Sequence, residues 1–489
     1  MRRPKYFTSG FLFIFLMLYI LSAVQIDLSY TYHYNMNLNE DDNSESWSRI
    51  IESGRRLYSP SIELIDNYTY IIGNIGEYYT EFDIYLAKYS SSGAKLWEQT
   101  WGGSEFNHII NHLVDSENNL YIVGITNTFF LPHSGDVFLV KYNTTGNLLW
   151  ATTIELPRCH DLDDTLSINA DLNNSIYISC VIPNSNNEKI LIIKINPFGE
   201  VLWTHEIELS GWISKLITTI DSIGNIYIYG QQMEYLFLLK LNSSGSMLWY
   251  YELGEREYGY HLKLDFDENI IITGTSYNSG INKKEIWIMK MNNSGNVTKK
   301  IICASFEGDR WRTPKFEVWF LDNIFVLTGS SLLEYNYSLN CNQNFTLEDD
   351  ALIEGGWNLD FGINSQQEMY LVYLNYGDVN ILRFNNSKAI LSNFTWGGPY
   401  NDYFHEIAIG SQDDLYMLCT IKYVNIWKEY LDVTIIVKNP RSDGKPPQLN
   451  HLIDDRDIFI FSLLGVMCFI SVILIYTTLK PKFRMLVEK

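Results

Sequence analysis

His108 and His112 lie four apart in "HIINH", a spacing at which two imidazoles can reach one metal ion from a single helix face. Ile109, not Glu, follows the first His, so the general base of a zinc hydrolase is missing. The apolar neighbours predict a strand, on which the two rings would merely share a face. Asp265, Asp267 and Asn269 in "DFDEN" open like a calcium loop, but the loop's Gly and distal Glu are absent. The stretch aligns with "DSENN" from Asp115 and "DSIGN" from Asp221, which makes it a hairpin turn. Cys159 to Asp164, "CHDLDD", gathers a thiol, an imidazole and carboxylates; a solvated acidic turn is the simpler expectation. There is no GxxxxGK loop for phosphates and no GxSxG elbow for a nucleophile.

The six cysteines are 159, 180, 303, 341, 419 and 468, with no CxxC spacing. Cys468 falls in a long apolar run, which leaves an odd five elsewhere. Neither a disulfide framework nor a zinc site is indicated. Cys180 and Cys419 lie within apolar strands, where small thiols pack as hydrophobes. No catalytic, cofactor-binding or metal residue is assigned, no cofactor is expected, and a non-enzymatic role is expected.

What elements carry these residues is more legible. The chain has 489 residues, 46% hydrophobic and only 19% charged, enough for a large core. Aromatics make up 15%, with 34 Tyr and 13 Trp, which favours strands. The formal net charge of −21 argues against nucleic-acid partners, whose phosphates an acidic surface repels.

Both termini carry apolar runs. Residues 1–25 have a basic start, an apolar stretch from Phe11 to Val24, and small residues Ser22 and Ala23. That stretch would span roughly 21 Å as a helix, short of the ~30 Å hydrocarbon core, so a signal peptide is expected over a signal anchor. Ile458 to Leu479 is uncharged and would span about 33 Å, enough to cross a bilayer. Lys480, Lys482 and Arg484 follow it, whereas Asp454, Asp455, Arg456 and Asp457 precede it. The positive-inside rule places the tail 480–489 in the cytoplasm and 26–457 outside, as a single-pass protein of the cell membrane. Residues 441–457 form the linker.

Between the termini the sequence repeats. "KYSSSGAKLW", "KYNTTGNLLW", "KINPFGEVLW" and "KLNSSGSMLW" place Lys88, Gly93 and Trp97, then Lys141, Gly146 and Trp150. The same spacing gives Lys194, Gly199 and Trp203, then Lys240, Gly245 and Trp249. Further strands end at Lys290, Glu334, Arg383 and Lys438. An earlier column, Asp followed by an apolar strand, precedes each. The result is eight units of about 50 residues over 46–440, each reading as four short strands, the mark of a β-propeller. Runs such as "VFLV" and "ILII" are apolar at both parities, so both strand faces must be covered, as when blades stack radially. The last unit has three strands, and residues 46–51 look like its missing fourth, closing the ring.

These columns resemble the SBBP-type β-propeller repeat of prokaryotic surface and secreted proteins. Trp101-Gly102-Gly103, Asp115, Gly124, Asp136, Lys141, Gly146 and Trp150 carry the likeness. The resemblance implies a nominally seven-bladed ring, an alternative to the count of eight. The Gly–Trp phrase also looks like the docking repeat of eight-bladed quinoprotein dehydrogenases, which would imply a pyrroloquinoline quinone (PQQ-type) enzyme; their adjacent cysteines are absent here. A purely structural envelope role is the other alternative. The reading preferred is a membrane-anchored extracellular module that binds or scaffolds a protein or glycan through its loops. Asn-x-Ser/Thr sequons stand at Asn67, Asn143, Asn173, Asn242, Asn292, Asn296, Asn336, Asn344, Asn385 and Asn393, so a glycoprotein is expected.

Overall fold

The structure is a computed structural model that describes residues 47–440 apart from some connecting segments, the longest being 128–135, 157–164, 308–315 and 347–358. The apolar runs at both termini and the "CHDLDD" stretch lie outside the described residues. Among the described residues no helix is long and apolar enough to cross a membrane.

The strands form eight four-stranded antiparallel sheets, numbered here as blades 1 to 8. Blades 1 to 7 occupy 57–101, 106–154, 167–209, 213–255, 257–307, 316–346 and 359–396. In each, consecutive strands are hydrogen-bonded neighbours. Blade 8 takes three strands from 403–438 and its fourth from β1, Trp47–Ile50. Trp47 pairs with Lys438 and Ile50 with Ile435. The first and last strands of the ring thus share one sheet, and blade 8 is completed to four strands like the others.

Both-parity apolar strands have a direct explanation. In blade 2, Ile122 and Val140 pack with Ile72 and Leu86 of blade 1, while their chain neighbours Val123 and Leu139 pack with Ile178 and Ile193 of blade 3. Each of eight buried clusters joins two adjacent blades, and the cluster of Tyr416, Leu418 and Ile436 with Ile62, Ile71 and Tyr85 joins blade 8 to blade 1. An open stack of eight would have one interface fewer. The fold is an eight-bladed β-propeller. Full burial of each Ile, Leu or Val in these seams is worth roughly 1.5–3 kcal/mol.

The blades radiate from their first strands, which neighbour one another around the ring, as Leu57–Ile65 and Leu359–Ile363 each neighbour Tyr403–Ile409. The meander puts the connections between strands one and two and between three and four on one face, called here the turn face. The other connections lie on the opposite, loop face.

Candidate functional site

The repeated Lys, Gly and Trp positions all belong to joints between blades. Blade 2 shows the arrangement. Lys141 ends the third strand, Asp136–Tyr142, and is buried with its Nζ 3.3 Å from Asp115 Oδ2. It lies 4.7 Å from the Tyr121 ring centre and donates to the Pro197 carbonyl of blade 3. Trp150 Nε1 donates to that same carbonyl at 3.0 Å, and the Trp150 ring meets Tyr121 edge-on. The fixed Gly–Trp spacing follows from a tight turn and a bulge. Gly199 has φ +90°, and a Cβ there would sit 2.9 Å from Trp150, so the turn of blade 3 rests on the indole of blade 2. A bulge just after the Lys column recurs in blades 1 to 7 and brings the Trp position opposite the Lys.

The same joint is built from Lys88, Trp97 and Gly146, from Lys194, Trp203 and Gly245, and at the closure from Trp47 and Gly93. Trp47 Nε1 donates to the Ser91 carbonyl of blade 1. Lys240 pairs with Asp221 and stacks over Tyr227, which meets Trp249. Departures are compensated in kind. Arg383 pairs with Glu368 at 2.6 Å, and Lys438 with Asp414 at 2.7 Å. In blade 6 the charge is reversed: Glu334 accepts from Asn323 Nδ2 at 2.7 Å. At the blade 5 to 6 seam Lys299 stands in the Trp position and its Nζ donates to the Ser338 carbonyl and to Asn340 Oδ1.

Electrostatics make these joints structural, not reactive. Burial alone would raise the Asp115 carboxyl, but hydrogen bonds from Asn119 and Glu117 and the charge of Lys141 outweigh it and hold the group below the usual range. Asp171 and Asp265 are lowered in the same balance. Burial, with Asp115 alongside, pushes the Tyr121 phenol far up. None of these groups can exchange protons usefully near neutral pH.

The motifs with chemical spacing come apart. Ile110 is an extra residue in Phe106–Val114, so His108 stands opposite Ile125 and His112 opposite Ile122, an odd offset. The expectation that the two rings share a face is therefore corrected: a bulge breaks the alternation. His108 stacks on Phe82 and Phe106, whereas His112 Nε2 lies 3.4 Å from Glu63 Oε2. Asp265 accepts the Asp267 and Asn269 amides through Oδ1, and Glu268 takes φ +58°, a hairpin turn as expected. Cys180 and Cys419 are fully buried.

The sequons have a structural cause. Asn143 Oδ1 accepts from Thr145 N, Thr145 Oγ1 and Asn147 N, closing the turn between strands three and four. Asn242 does the same with Ser244 and Ser246, and Asn292, Asn336 and Asn385 also cap their turns. Asn-x-Ser/Thr-Gly is a favoured turn sequence in its own right. Asn67 and Asn173 lie on the exposed turns between strands one and two, Asn296 starts near a fourth strand, and Asn344 and Asn393 lie in fourth strands.

Apart from His108 and His112, sequence reasoning singled out none of the polar groups on the first strands, which belong to no repeated column. Glu406 accepts from Ser61 Oγ at 2.7 Å and Ile62 N at 3.0 Å, linking blade 8 to blade 1. Burial and the nearby Asp360 raise its carboxyl, against the pull of these donors and His112. Asp360 in turn accepts the Ile407 amide at 3.0 Å. Across the ring, Lys215 of blade 4 lies 5.1 Å from the ring centre of Tyr260. His261 is lowered to about 4 by burial and by Lys215, and His405 to about 4 by burial. Among the described residues no group of three His, Cys, Asp or Glu side chains is placed to hold a metal ion.

The two faces differ most in their connections. On the turn face, residues 90–94, 143–147, 196–200, 242–246, 292–296, 336–340 and 385–389 link strands three and four, five residues every time. On the loop face the strands are separated by as little as one residue, between Glu255 and Glu257, and by as many as twelve, between Ile154 and Ser167 and between Thr346 and Leu359.

The architecture defines the chain as a β-propeller. Solved structures resemble it at low sequence identity. A streptogramin B lyase structure is 13% identical with a TM-score of 0.39, covering 68% of this chain and 97% of that one. A eukaryotic initiation factor is 10% identical at 0.46, covering 81% and 93%. A prolyl endopeptidase structure is 9% identical at 0.44, covering 80% and 55%. No family model matches the chain, and no curated protein matches it.

Proposed function

We propose that the protein is a surface-displayed, membrane-anchored binding module of the SBBP-like kind, with its propeller outside the cell and its loop face presented to a protein or glycan. One observation carries the reading: the connections between strands three and four are five residues each in blades 1 to 7, whereas those on the loop face vary from one residue to twelve. Turns that must dock on a neighbouring Trp cannot vary. Connections free of that duty can diverge, and loops on a rigid scaffold are where recognition residues accumulate. The C-terminal apolar run with its basic flank supports the anchor, and the apolar start supports export. The ring does no chemistry in this reading, and its acidic surface suits basic or cation-bridged ligands.

The test compares the full chain with a variant whose residues 347–358 are replaced by a Gly/Ser linker of equal length. Each is used to retain ligands from a glycan array and from envelope extract. Loss of a retained ligand in the variant, at unchanged thermal stability, supports the reading. Dye reduction with alcohols or sugars after addition of Ca²⁺ and pyrroloquinoline quinone would overturn it in favour of a quinoprotein-like enzyme. Retention of nothing by either form would favour a structural envelope role.

A further inference from the structure

Among the described residues, the inner turns of the turn face carry large apolar tips on one side of the ring only. The inner turns are those between strands one and two. These touch one another around the ring: Asn118 donates to Asp66, Ser116 to Asn174, Ser222 to Glu268, Ser365 to Asp413, and Ser411 to Asn67. Most tips are polar, with Asn67, Ser116, Ser365 and Ser411 on blades 1, 2, 7 and 8. Blades 3, 4 and 5 break the pattern together. Leu172 is 75% exposed, Ile223 73% and Phe266 87%, and Phe198 on the outer turn of blade 3 is 80% exposed. A turn needs no such side chain: the position of Leu172 and Phe266 is Ser116, Ser222, Ser365 and Ser411 in other blades, and that of Ile223 is Glu117, Asn173, Asp267, Gln366 and Gln412.

The carboxylates beneath this patch are neutralised. Asp171 pairs with Lys194, Asp221 with Lys240 and Asp265 with Lys290. Asp267 and Glu268 remain at its edge, so an anionic surface is disfavoured as a partner and a zwitterionic one is not.

The same face is where the chain leaves the ring. Lys438 ends the third strand of blade 8 at the turn face, and Trp47 pairs with it there. Residues 441–457 then separate the ring from the apolar run 458–479, a reach of at most about 60 Å when fully extended. The stem emerges at blade 8, and the apolar tips lie on blades 3 to 5, across the ring from it.

We infer that the turn face rests on the bilayer to which the chain is anchored, with Leu172, Ile223 and Phe266 entering the interfacial zone of zwitterionic lipid. The inference rests on the C-terminal span proposed above. Stem and patch together hold the ring flat, so the loop face points away from the cell. Aliphatic and aromatic tips of this kind partition into the headgroup boundary, where a polar turn would stay in water.

The full chain, reconstituted in phosphatidylcholine vesicles, tests this with a photo-crosslinking amino acid at position 266, 223 or, on the loop face, 281. Flotation with the vesicles reports the anchor separately: a chain that fails to float refutes the C-terminal span. Given flotation, lipid adducts from 266 and 223 at least five times those from 281 are expected, falling severalfold from 266 in an L172S/I223S background. Adducts equal at all three positions, or absent from 266 and 223, would overturn the inference. Protein-to-protein adducts from 266 in place of lipid adducts would also overturn it and assign the patch to a second copy of the chain.

Discussion

Gly146 and Gly245 occupy the same position of the same turn in blades 2 and 4, with φ of +83° and +85°. They differ in how closely the preceding indole approaches. A Cβ on Gly146 would lie 2.7 Å from Trp97, whereas one on Gly245 would lie 3.3 Å from Trp203. Alanine at either site incurs the left-handed backbone cost of about 1–2 kcal/mol. Only Gly146→Ala adds a hard overlap with a packed ring, worth about 1–3 kcal/mol where the ring must shift. Totals of about 3 kcal/mol for Gly146→Ala and about 1.5 kcal/mol for Gly245→Ala are expected. Trp97→Ala should cost about 3 kcal/mol by itself. In that background Gly146→Ala should fall back to the backbone cost alone, a coupling of about 1–2 kcal/mol. Urea midpoints at constant slope read these values, with pulse proteolysis in place of equilibrium curves if refolding is incomplete. Equal losses for the two glycines, or no relief in the Trp97→Ala background, would refute the account of the Trp as the docking surface for the next blade's turn.

Deletion of residues 46–51 should expose the edge of blade 8 and lower the thermal midpoint by more than 5 °C, with aggregation rising in parallel; unchanged stability would contradict closure by β1. Lys141→Met should cost about 3 kcal/mol by leaving the buried Asp115 charge unpaired, and Lys141→Met/Asp115→Asn should recover part of it; additive losses in urea melts would count against the pairing. His261 and His405 have folded pKa values depressed to about 4, so both stay neutral in the ring while the unfolded chain takes up protons below about 6.5. Their stability contribution is full above that value and is lost as pH falls towards 4, so a pH–stability profile should slope down in this window and flatten in His405→Gln. With dithiol-free protein, Cys341 should alkylate within minutes and Cys303 far more slowly, because burial pushes the Cys303 thiol up to about 12; Cys180 and Cys419 should react only on unfolding.

The ring was legible because its constraints repeat. A Lys, a left-handed Gly and a Trp recur together at fixed spacing in blades 1 to 4, so the period appears as letters. Trp47, standing ahead of Asp66 as Trp97 stands ahead of Asp115, reveals the displaced fourth strand of blade 8. Even the degenerate "SLLEYN" of blade 6 keeps its strand, because Glu334 and Asn323 exchange the roles of cation and acceptor. Bulges were not legible. Nothing in "HIINH" announces that Ile110 is extra, since any apolar residue can occupy a bulge beside a covered face. The first-strand groups Glu406, Asp360 and Glu63 were likewise hidden, because each bonds a different partner in the next blade and no column repeats. The turn-face patch was invisible for a related reason: Leu172 and Phe266 look like strand-flanking hydrophobes until the turns are placed side by side.

The most direct measurement for the central claim is photo-crosslinking on intact cells, with the probe placed at the exposed Trp212 or Ile281 in loop-face connections and, for comparison, at Ser244 on the turn face. The account predicts adducts to an extracellular protein or glycan from 212 or 281 and none to such a partner from 244. Capture from 244 alone, or capture of cytoplasmic proteins by any of the three, would contradict it.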